Sequence, residues 1–398
     1  MRGFCGWVLV VGVWALVVGG CRGAGAGDED RRGPEVADKG RWALVEALAS
    51  NAFEGRAPGS PGGEKARAKI REALEACGWD VGEHATRGPG VNLVARYRGA
   101  AAVERFVLVS AHYDHLGVVG GQVMNGADDN AAAVGAVVEV ACRYRPGAAD
   151  AAGLIVALWD SEEPPYFMTP AMGSASWVAQ PTVPLDKIDV AIVLDLVGGG
   201  LWAGASWHVV LGGETSKEVA AVVARAPVPA GLEVLQAGLH LVEEIVATGR
   251  TQPWSDYAPF RAAGVPVLFL SNGQSHHYHT AGDDFETLDL KKLGLQTDWL
   301  AGLLGELVRH PTKPRFDTGV SERAGVDTVA AARLVDAALA LAAGSKAGAS
   351  TFDVEVLRRD REALGGDGMA GTMARRRAVQ RVQCFASGQH PAALCAAF

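Results

Sequence analysis

Short apolar runs that lack polar alternation constrain the fold of this chain more than any other feature. Such runs occur at Leu154–Trp159, Val190–Leu196 and Trp207–Leu211, and further strand patterns occur at Arg105–Ser110 and Val265–Leu270. A strand without alternation is typically buried on both faces, as in a parallel sheet that helices cover on each side. The sequence therefore predicts an α/β fold, a three-layer α/β/α sandwich with a mostly parallel, mixed central sheet.

Helical patterns separate the strands and continue beyond the last of them. After Pro314 the composition shifts to Ala, Arg and Asp, with helical spacing of apolar residues at Val329–Ala343 and Val354–Leu364. We therefore expect a main domain over residues 40–312 and a helical C-terminal extension over residues 313–398. Composition indicates packing or stabilisation for the extension and no chemistry of its own.

The first residues resemble an export signal. Arg2 supplies a positive charge, Trp7–Val18 is an apolar segment short for a membrane span, and Cys21 follows where a bacterial lipoprotein would be cleaved. We expect residues 1–21 to form a lipoprotein-type signal and residues 22–39 a flexible tether, with an ordinary secretory signal as the alternative. Both predict export to the periplasm, cell envelope or medium, and the lipoprotein signal adds one contact with the membrane, through lipid on Cys21.

Charge and cysteine content narrow the classes of partner. The net charge of −8 provides no basic field that would attract nucleic acid. The cysteines form no CxxC pair, which argues against a cysteine zinc site. Cys384 and Cys395 are close enough in the sequence for a small disulfide loop in an oxidising compartment. Cys77 and Cys142 lie in helical patterns and are expected to be buried free thiols.

Histidines and carboxylates follow the predicted strands, at or just beyond the point where each strand ends. They form five clusters: His112, Asp114 and His115; Asp128 and Asp129; Glu162 and Glu163; Asp195; and His276, His277 and His279. In sheets of this class, functional groups collect at the carboxyl ends of the strands. Imidazole and carboxylate without thiolate suit catalytic zinc, or manganese or cobalt in its place. More than three ligands are available, which favours two metal ions that share a carboxylate.

The order of these motifs resembles the M28 family of zinc peptidases. The matching segments are His112-Tyr-Asp114, Gly126-Ala-Asp128-Asp129-Asn130, Glu162-Glu163, Asp195, Ser255-Asp256-Tyr257 and Tyr278-His279-Thr280-Ala-Gly-Asp283, with Glu54-Gly55-Arg56 and Ser60 as smaller signals. Each motif alone is weak, but the ordered set covers about residues 41–308. The resemblance implies a zinc-exopeptidase fold and hydrolysis of peptide substrates.

The resemblance also implies a role for each matching residue. The implied ligands are His112 and Asp195 for one zinc ion, Glu163 and His279 for the other, and Asp129 as the bridge between them. Glu162 would be the general base that takes a proton from water and passes it to the leaving amine. Asp114 would accept a hydrogen bond from the His112 imidazole and fix its tautomer.

The other polar residues have simpler expected roles. Asp128 is expected to cap the helix that follows it. The remaining histidines are interpreted as loop residues near the site (His115, His276 and His277) or as structural residues (His208 and His240).

Two departures from the family pattern fall where substrate would be selected. Pro164–Met168 lengthens the loop after Glu163, beside the predicted metals. Gln252 and Trp254 stand where an aminopeptidase-type tyrosine is usual. The sequence therefore does not identify the group that would stabilise the oxyanion.

The expected function is dinuclear zinc-dependent release of N-terminal amino acids from peptides. The alternatives are glutaminyl-cyclase-like acyl transfer at a single zinc ion, carboxypeptidase-type cleavage, and a non-catalytic binding ectodomain. The full set of five ligands argues against the cyclase and against the binding domain. No sequence pattern predicts the preferred side chain or the oligomeric state.

Overall fold

The structure, a computed structural model, describes residues 40–98, 103–202, 204–245, 251–317, 324–344, 353–387 and Cys395. The signal predicted at residues 1–21 with Cys21 and the tether predicted at residues 22–39 lie outside these ranges and stay predictions. The described residues from Trp42 onward belong to one compact unit. None of the helices described is both long and apolar enough to cross a membrane.

An eight-stranded mixed sheet forms the centre of this unit. Counting those outside this sheet, the described strands are β1 (Trp79–Ala85), β2 (Val91–Tyr97), β3 (Phe106–His112), β4 (Val118–Val119), β5 (Gln122–Val123), β6 (Gly153–Trp159), β7 (Ile188–Leu194), β8 (Trp207–Leu211), β9 (Glu233–Ala237), β10 (Glu244–Ile245), β11 (Thr251–Gln252) and β12 (Val267–Ser271). The sheet order is β1-β2-β6-β3-β7-β12-β8-β9, and β4-β5 and β10-β11 are separate hairpins. The central strands β6, β3, β7 and β12 are parallel, so their carboxyl ends lie at one edge.

Helices cover both faces of the sheet, which confirms the predicted three-layer α/β/α architecture. They are α1 (Ala43–Leu48), α2 (Pro61–Ala76), α3 (Ala132–Arg143), α4 (Gly173–Ala179), α5 (Lys217–Arg225), α6 (Tyr257–Ala262) and α7 (Leu290–Val308). On β6, Val156 packs into the core beneath α3 and α7, whereas Ile155 packs into the opposite core with Trp177 of α4 and Phe260 of α6. Because consecutive residues of a strand face opposite cores, the central strands need no polar alternation.

Local sequence fixes where the longer helices begin. Ser60 precedes α2 and its hydroxyl accepts a hydrogen bond from the Gly63 amide at 3.1 Å, with Pro61 in the first helical turn. Asp289 precedes α7 and accepts from the Lys292 amide at 2.9 Å. Both are N-caps that satisfy an amide without an intrahelical partner.

Three helices follow the sandwich, α8 (Ala324–Gly344), α9 (Val354–Ala363) and α10 (Gly368–Ser387). They share an apolar core in which Leu334 of α8, Leu357 of α9 and Val382 of α10 meet Trp207 and Leu235 of the sheet. The helical character predicted for this part of the chain is present over the residues described. The division at residue 312 stays a prediction.

Two disulfides link elements of the unit. Cys384 is bonded to Cys395, a pairing that the sequence allows but does not decide. Cys77 is bonded to Cys142, so the prediction of two free thiols there is wrong. Cys77 caps the end of α2 and Cys142 lies in the last turn of α3, and their Cα atoms are 4.9 Å apart. Helical periodicity assigns each cysteine to a helix but does not indicate that these two helix ends are neighbours.

Replacing Cys77 and Cys142 together by alanine should lower the free energy of unfolding by roughly 4 kcal/mol, because that disulfide closes a loop of 65 residues. The matched control, alanine at Cys384 and Cys395, opens a loop of only 11 residues and should lose roughly 3 kcal/mol. Urea unfolding of the three proteins measures both losses. Alkylation of Cys77 or Cys142 in the denatured, unreduced protein would contradict the assignment.

Candidate metal centre

Five side chains singled out by the sequence come together at the carboxyl edge of the parallel strands. They are His112 at the end of β3, Glu163 after β6, Asp195 after β7, His279 in the loop after β12, and Asp129 in the turn before α3. Four of these side chains are buried, namely His112, Asp129, Glu163 and Asp195. The His279 side chain is partly exposed, at 28%. The predicted convergence at one edge is therefore present. The assignment of these residues as metal ligands stays a prediction.

One group of side chains surrounds the inner nitrogen of His112. The Nε2 atom is 3.4 Å from Asp129 Oδ1 and 3.5 Å from Asp195 Oδ1. On the other side of the ring, Nδ1 lies 3.2 Å from the main-chain oxygen of Asp114. Ser255 Oγ donates to Asp195 Oδ2 at 2.8 Å, which leaves Oδ1 facing the imidazole. The side chains of His112, Asp129 and Asp195 are close enough together to hold one metal ion.

A second group uses the other oxygen of Asp129. Asp129 Oδ2 and Glu163 Oε2 each lie 3.2 Å from His279 Nε2. Glu163 Oε1 lies 2.8 Å from His115 Nδ1. His115, Asp129 and Glu163 also satisfy the spacing for a metal ion. Asp129 is thus common to both groups, with one carboxylate oxygen directed to each.

His115 is the residue that sequence reasoning undervalued. The sequence interpretation places it in a loop near the site, yet it is completely buried and contacts Glu163 directly. Its position three residues after His112, directly beyond a buried strand, was the available signal. The rings of His276 and His277 contact each other at an interplanar angle of 41°, with their centroids 3.8 Å apart. His208 is buried between Asn272 and Gln296, in the structural role expected of it.

Asp114 has a different contact from the one predicted. Its carboxylate accepts from the main-chain amides of Glu162 at 3.0 Å and Glu163 at 3.1 Å. Its nearest carboxylate oxygen is 3.7 Å from His112 Nδ1, too long for a hydrogen bond. Both carboxylate oxygens are already committed to amides at the end of β6, so Asp114 orients the glutamate pair and only its main-chain oxygen meets His112.

Asp128 does not cap the helix after it, and that prediction is wrong. Its Oδ1 accepts from the amide of Gly199, which follows β7, at 2.6 Å. The residue at the start of α3, Ala131, has no side-chain cap. Burial raises the pKa of Asp128 to about 6, although the Gly199 amide and the charge of Lys292 oppose the shift.

The turn that carries Asp129 is held by Asp283 and Arg56. The Asp283 carboxylate accepts from the amides of Asp128 at 2.9 Å and Asp129 at 3.0 Å. The buried Arg56 guanidinium donates to the main-chain oxygens of Gly126 at 2.9 Å and Asn125 at 2.5 Å. Gly126 has a φ of 55°, and a Cβ there would lie 2.2 Å from the main-chain oxygen of Asp129. The turn therefore requires glycine.

The electrostatics of the site favour a cation. Burial raises the pKa of Glu162, although the charge of His112 opposes the shift. Burial also disfavours the ionised form of Glu163, but contacts with His115 and His279 hold its pKa below the ordinary value. Burial makes His279 less basic, yet the surrounding carboxylates raise its pKa to about 10. Carboxylates packed this closely out of water need positive charge nearby.

The donor set also fits zinc. Imidazole nitrogens and carboxylate oxygens converge from separate elements, with no thiolate among them, as in catalytic zinc sites. Each group would offer three protein ligands to a metal ion and leave coordination positions for water and substrate.

A cavity of about 210 Å³ opens beside these side chains. Pro164 and Phe167 line it, so the predicted insertion does lie next to the site. Gln252 and Trp254, which replace the usual tyrosine, line it as well. Tyr257 is turned away, since its hydroxyl donates to Glu243 at 2.9 Å.

Known proteins resemble this chain in sequence and in fold. The uncharacterized protein YfbL of Escherichia coli K12 is 25% identical over 241 residues, 55% of this chain and 72% of YfbL. The structure of the LapA aminopeptidase of Legionella pneumophila aligns with a TM-score of 0.55 and 15% identity, covering 70% of this chain and 74% of LapA. The glutaminyl cyclase of Porphyromonas gingivalis aligns with a TM-score of 0.52 and 19% identity, covering 68% of this chain and 98% of the cyclase.

At these identities the two solved structures show a shared fold and leave the reaction undecided. The family is established from the sequence, because the sequence model of peptidase family M28 matches residues 92–303, more than half of the chain. This match includes every residue of the two groups around Asp129. The chain belongs to peptidase family M28.

Proposed function

We propose that this protein is a dinuclear zinc aminopeptidase, which hydrolyses the first peptide bond of peptides with a free N-terminus. The observation that carries the proposal is the division of the Asp129 carboxylate, with one oxygen toward His112 and the other toward His279. A carboxylate between two groups of ligands is typical of two-metal hydrolytic sites. When bound, the zinc ions would acidify water and polarise the scissile carbonyl.

Glu162 is suited to move the proton. It is buried, it lines the cavity, and its Oε2 lies 3.9 Å from His112 Nε2. The Asp114 carboxylate fixes its main chain, so the side chain is aimed by the same contact that aims Glu163. A raised pKa brings a carboxylate nearer to the basicity of a good proton acceptor at neutral pH.

The reaction balances with this single proton carrier. Water oxygen bonds to the carbonyl carbon, and the Glu162 carboxylate accepts the proton that the water gives up. The bond from carbon to nitrogen then breaks, and Glu162 returns the proton to the leaving amine. A free amino acid and a peptide shortened by one residue result, and Glu162 is again ionised.

The described lining of the cavity offers no basic side chain of the kind that would bind a C-terminal carboxylate. The described lining residues include Asp129, Glu162, Glu163 and Asp195 but no lysine or arginine. Bound zinc ions would neutralise these carboxylates, but a substrate carboxylate would still find no lysine or arginine in the described lining to pair with. Carboxypeptidase-type cleavage is therefore the weaker proposal. A non-catalytic domain is disfavoured because every side chain of both groups is present.

A second candidate is glutaminyl cyclisation, since a cyclase shares the fold. Zinc content and product separate the two reactions. Elemental analysis should find two zinc ions per chain in the wild type. The variant Asp195→Asn should hold one, because the change removes a carboxylate beside His112. The control is Asp186→Asn, at an exposed site, which should keep two zinc ions. A wild-type protein that holds one zinc ion and releases ammonia from N-terminal glutamine would overturn the aminopeptidase proposal.

Glu162→Gln should lower kcat for aminoacyl-nitroanilides by about 10²–10⁴-fold, because the amide has the same shape but cannot accept the proton. Its zinc content should stay at the wild-type value. Glu286→Gln, at an exposed site, is the matched control and should keep full activity. Normal hydrolysis by Glu162→Gln would show that another group carries the proton.

His115 is proposed as the residue that orients Glu163. The 2.8 Å contact of its Nδ1 with Oε1 occupies one carboxylate oxygen and leaves Oε2 facing His279. Hydrogen bonds of this kind to a metal ligand fix its direction and strengthen metal binding.

His115→Phe should weaken zinc binding by about 10–100-fold, measured by titration of the metal-free protein against a chelator. His115→Asn places an N–H near the position of Nδ1 and should recover most of the affinity. If both variants instead bind one zinc ion fewer than the wild type, His115 is itself a ligand and the positioning role is wrong.

A further inference from the structure

His279 is the most exposed of the five side chains that converge on the metal centre. It stands on a loop that leaves the sheet at the end of β12. The amides of Gly273 and His277 donate to the hydroxyls of Ser271 and Ser275, two residues earlier in each case, at 3.2 Å. Such local bonds set the shape of the loop but not its position relative to the other four side chains.

Gln383 of α10 holds this loop from outside. Its Nε2 donates to the Gln274 main-chain oxygen at 2.8 Å, and its Oε1 accepts from the Gln274 amide at 3.2 Å. One side-chain amide thus bonds both main-chain groups of one residue, which fixes the orientation of the loop as well as its distance from α10. Gln274 lines the cavity that contains Glu162, and it precedes His279 by five residues.

The close approach of loop and helix depends on Gly273. Its φ is 80°, and a Cβ there would lie 2.4 Å from Gln383 Oε1 and 2.9 Å from Leu201 Cδ2. The backbone conformation and the contact both require glycine. A larger residue at this position would push the loop away from Gln383.

The helix that carries Gln383 is itself firmly held. Gln383 lies between Val382 and Cys384, which are both buried in the core of the extension. Cys384 is also bonded to Cys395. The core ends at a small cavity of about 50 Å³, which Gln383 lines together with Phe269 of β12. Packing and a disulfide therefore make Gln383 a rigid point of attachment for the loop.

We propose that Gln383 is a positioning residue of the metal centre, which holds the loop of His279 through the main chain of Gln274. The proposal rests on the dinuclear zinc site of the proposed function. Gln383 lies outside residues 92–303, the part that matches family M28, so this support comes from the extension. Contacts that orient a metal ligand change metal affinity by about 10–100-fold. Gln383 acts through the main chain of the loop, so we expect the lower end of that range.

Gln383→Met keeps the approximate size of the side chain but forms neither bond with Gln274. It should weaken the binding of one zinc ion about tenfold and leave that of the other within about twofold, measured by titration of the metal-free protein against a chelator. The matched control is Gln380→Met, the same change one turn earlier on α10. Gln380 donates to the Glu243 main-chain oxygen at 3.3 Å, away from this loop, so both zinc affinities should stay at the wild-type values.

A double-mutant cycle shows whether Gln383 acts through His279. In a His279→Ala background, Gln383→Met should leave the affinity for the remaining zinc ion unchanged, because the ligand that it positions is already absent. An equal loss of affinity in both backgrounds would show that Gln383 only stabilises the fold, and would refute the positioning role.

Hydrogen exchange of the metal-free proteins gives a measurement that depends on neither zinc nor catalysis. The Gln274 amide should exchange at least about tenfold faster in Gln383→Met than in the wild type, and at the wild-type rate in Gln380→Met. If Gln383→Met misfolds, the wild type alone decides. A Gln274 amide that exchanges at the unprotected rate in the folded wild type would refute the contact.

Further outcomes separate this role from the function on which it rests. A wild type that binds two zinc ions but cleaves no aminoacyl-nitroanilide would refute the aminopeptidase function and leave the role of Gln383 intact. An active wild type, with both zinc affinities of Gln383→Met within about twofold of its own, would refute the role of Gln383 alone. A wild type that binds no zinc would refute both.

Discussion

The position of the Asp129 carboxylate is the constraint on which the rest of the site depends. One buried side chain must direct Oδ1 toward His112 and Oδ2 toward His279, at 3.4 and 3.2 Å from their Nε2 atoms. A rotation of this carboxylate would move its oxygen atoms away from His112 and His279 at the same time. The turn before α3 is accordingly held from two sides, by the Asp283 carboxylate on its amides and by the Arg56 guanidinium on its carbonyl oxygens. Since Asp283 follows His279 in the same loop, the two loops form one support.

Burying so many carboxylates together requires compensation that does not use up the oxygens facing the site. Main-chain amides supply part of it, because Asp114 and Asp283 each accept from two consecutive amides. Arg56 supplies another part. Burial lowers its pKa to about 10, opposed chiefly by the charge of Asp283, so it stays cationic at neutral pH. Its N–H groups bond carbonyl oxygens, so its charge acts on the carboxylates through space.

The central strands and the strand-end clusters were predictable from the sequence because burial on both faces and a carboxyl-edge site leave direct signatures. The strands at the outer positions were harder. On β1 only Trp79 is buried, so its composition is that of a solvated edge. Contacts between elements distant in sequence left no signature either. The pairing of Cys77 with Cys142, the amides bound by Asp114, and the burial of His115 against Glu163 depend on how strand ends and helix ends meet in space.

The same limit explains why composition described the C-terminal helices only as a packing extension. A helix such as α8 does bury Leu334 and Val335 in a core, and its sequence pattern is satisfied by that packing alone. What periodicity cannot show is that the core ends at a cavity beside the metal centre, or that Gln383 bonds the main chain of Gln274. Through this contact the extension is joined to the loop that carries His279, although the described helices α8, α9 and α10 supply none of the side chains around Asp129.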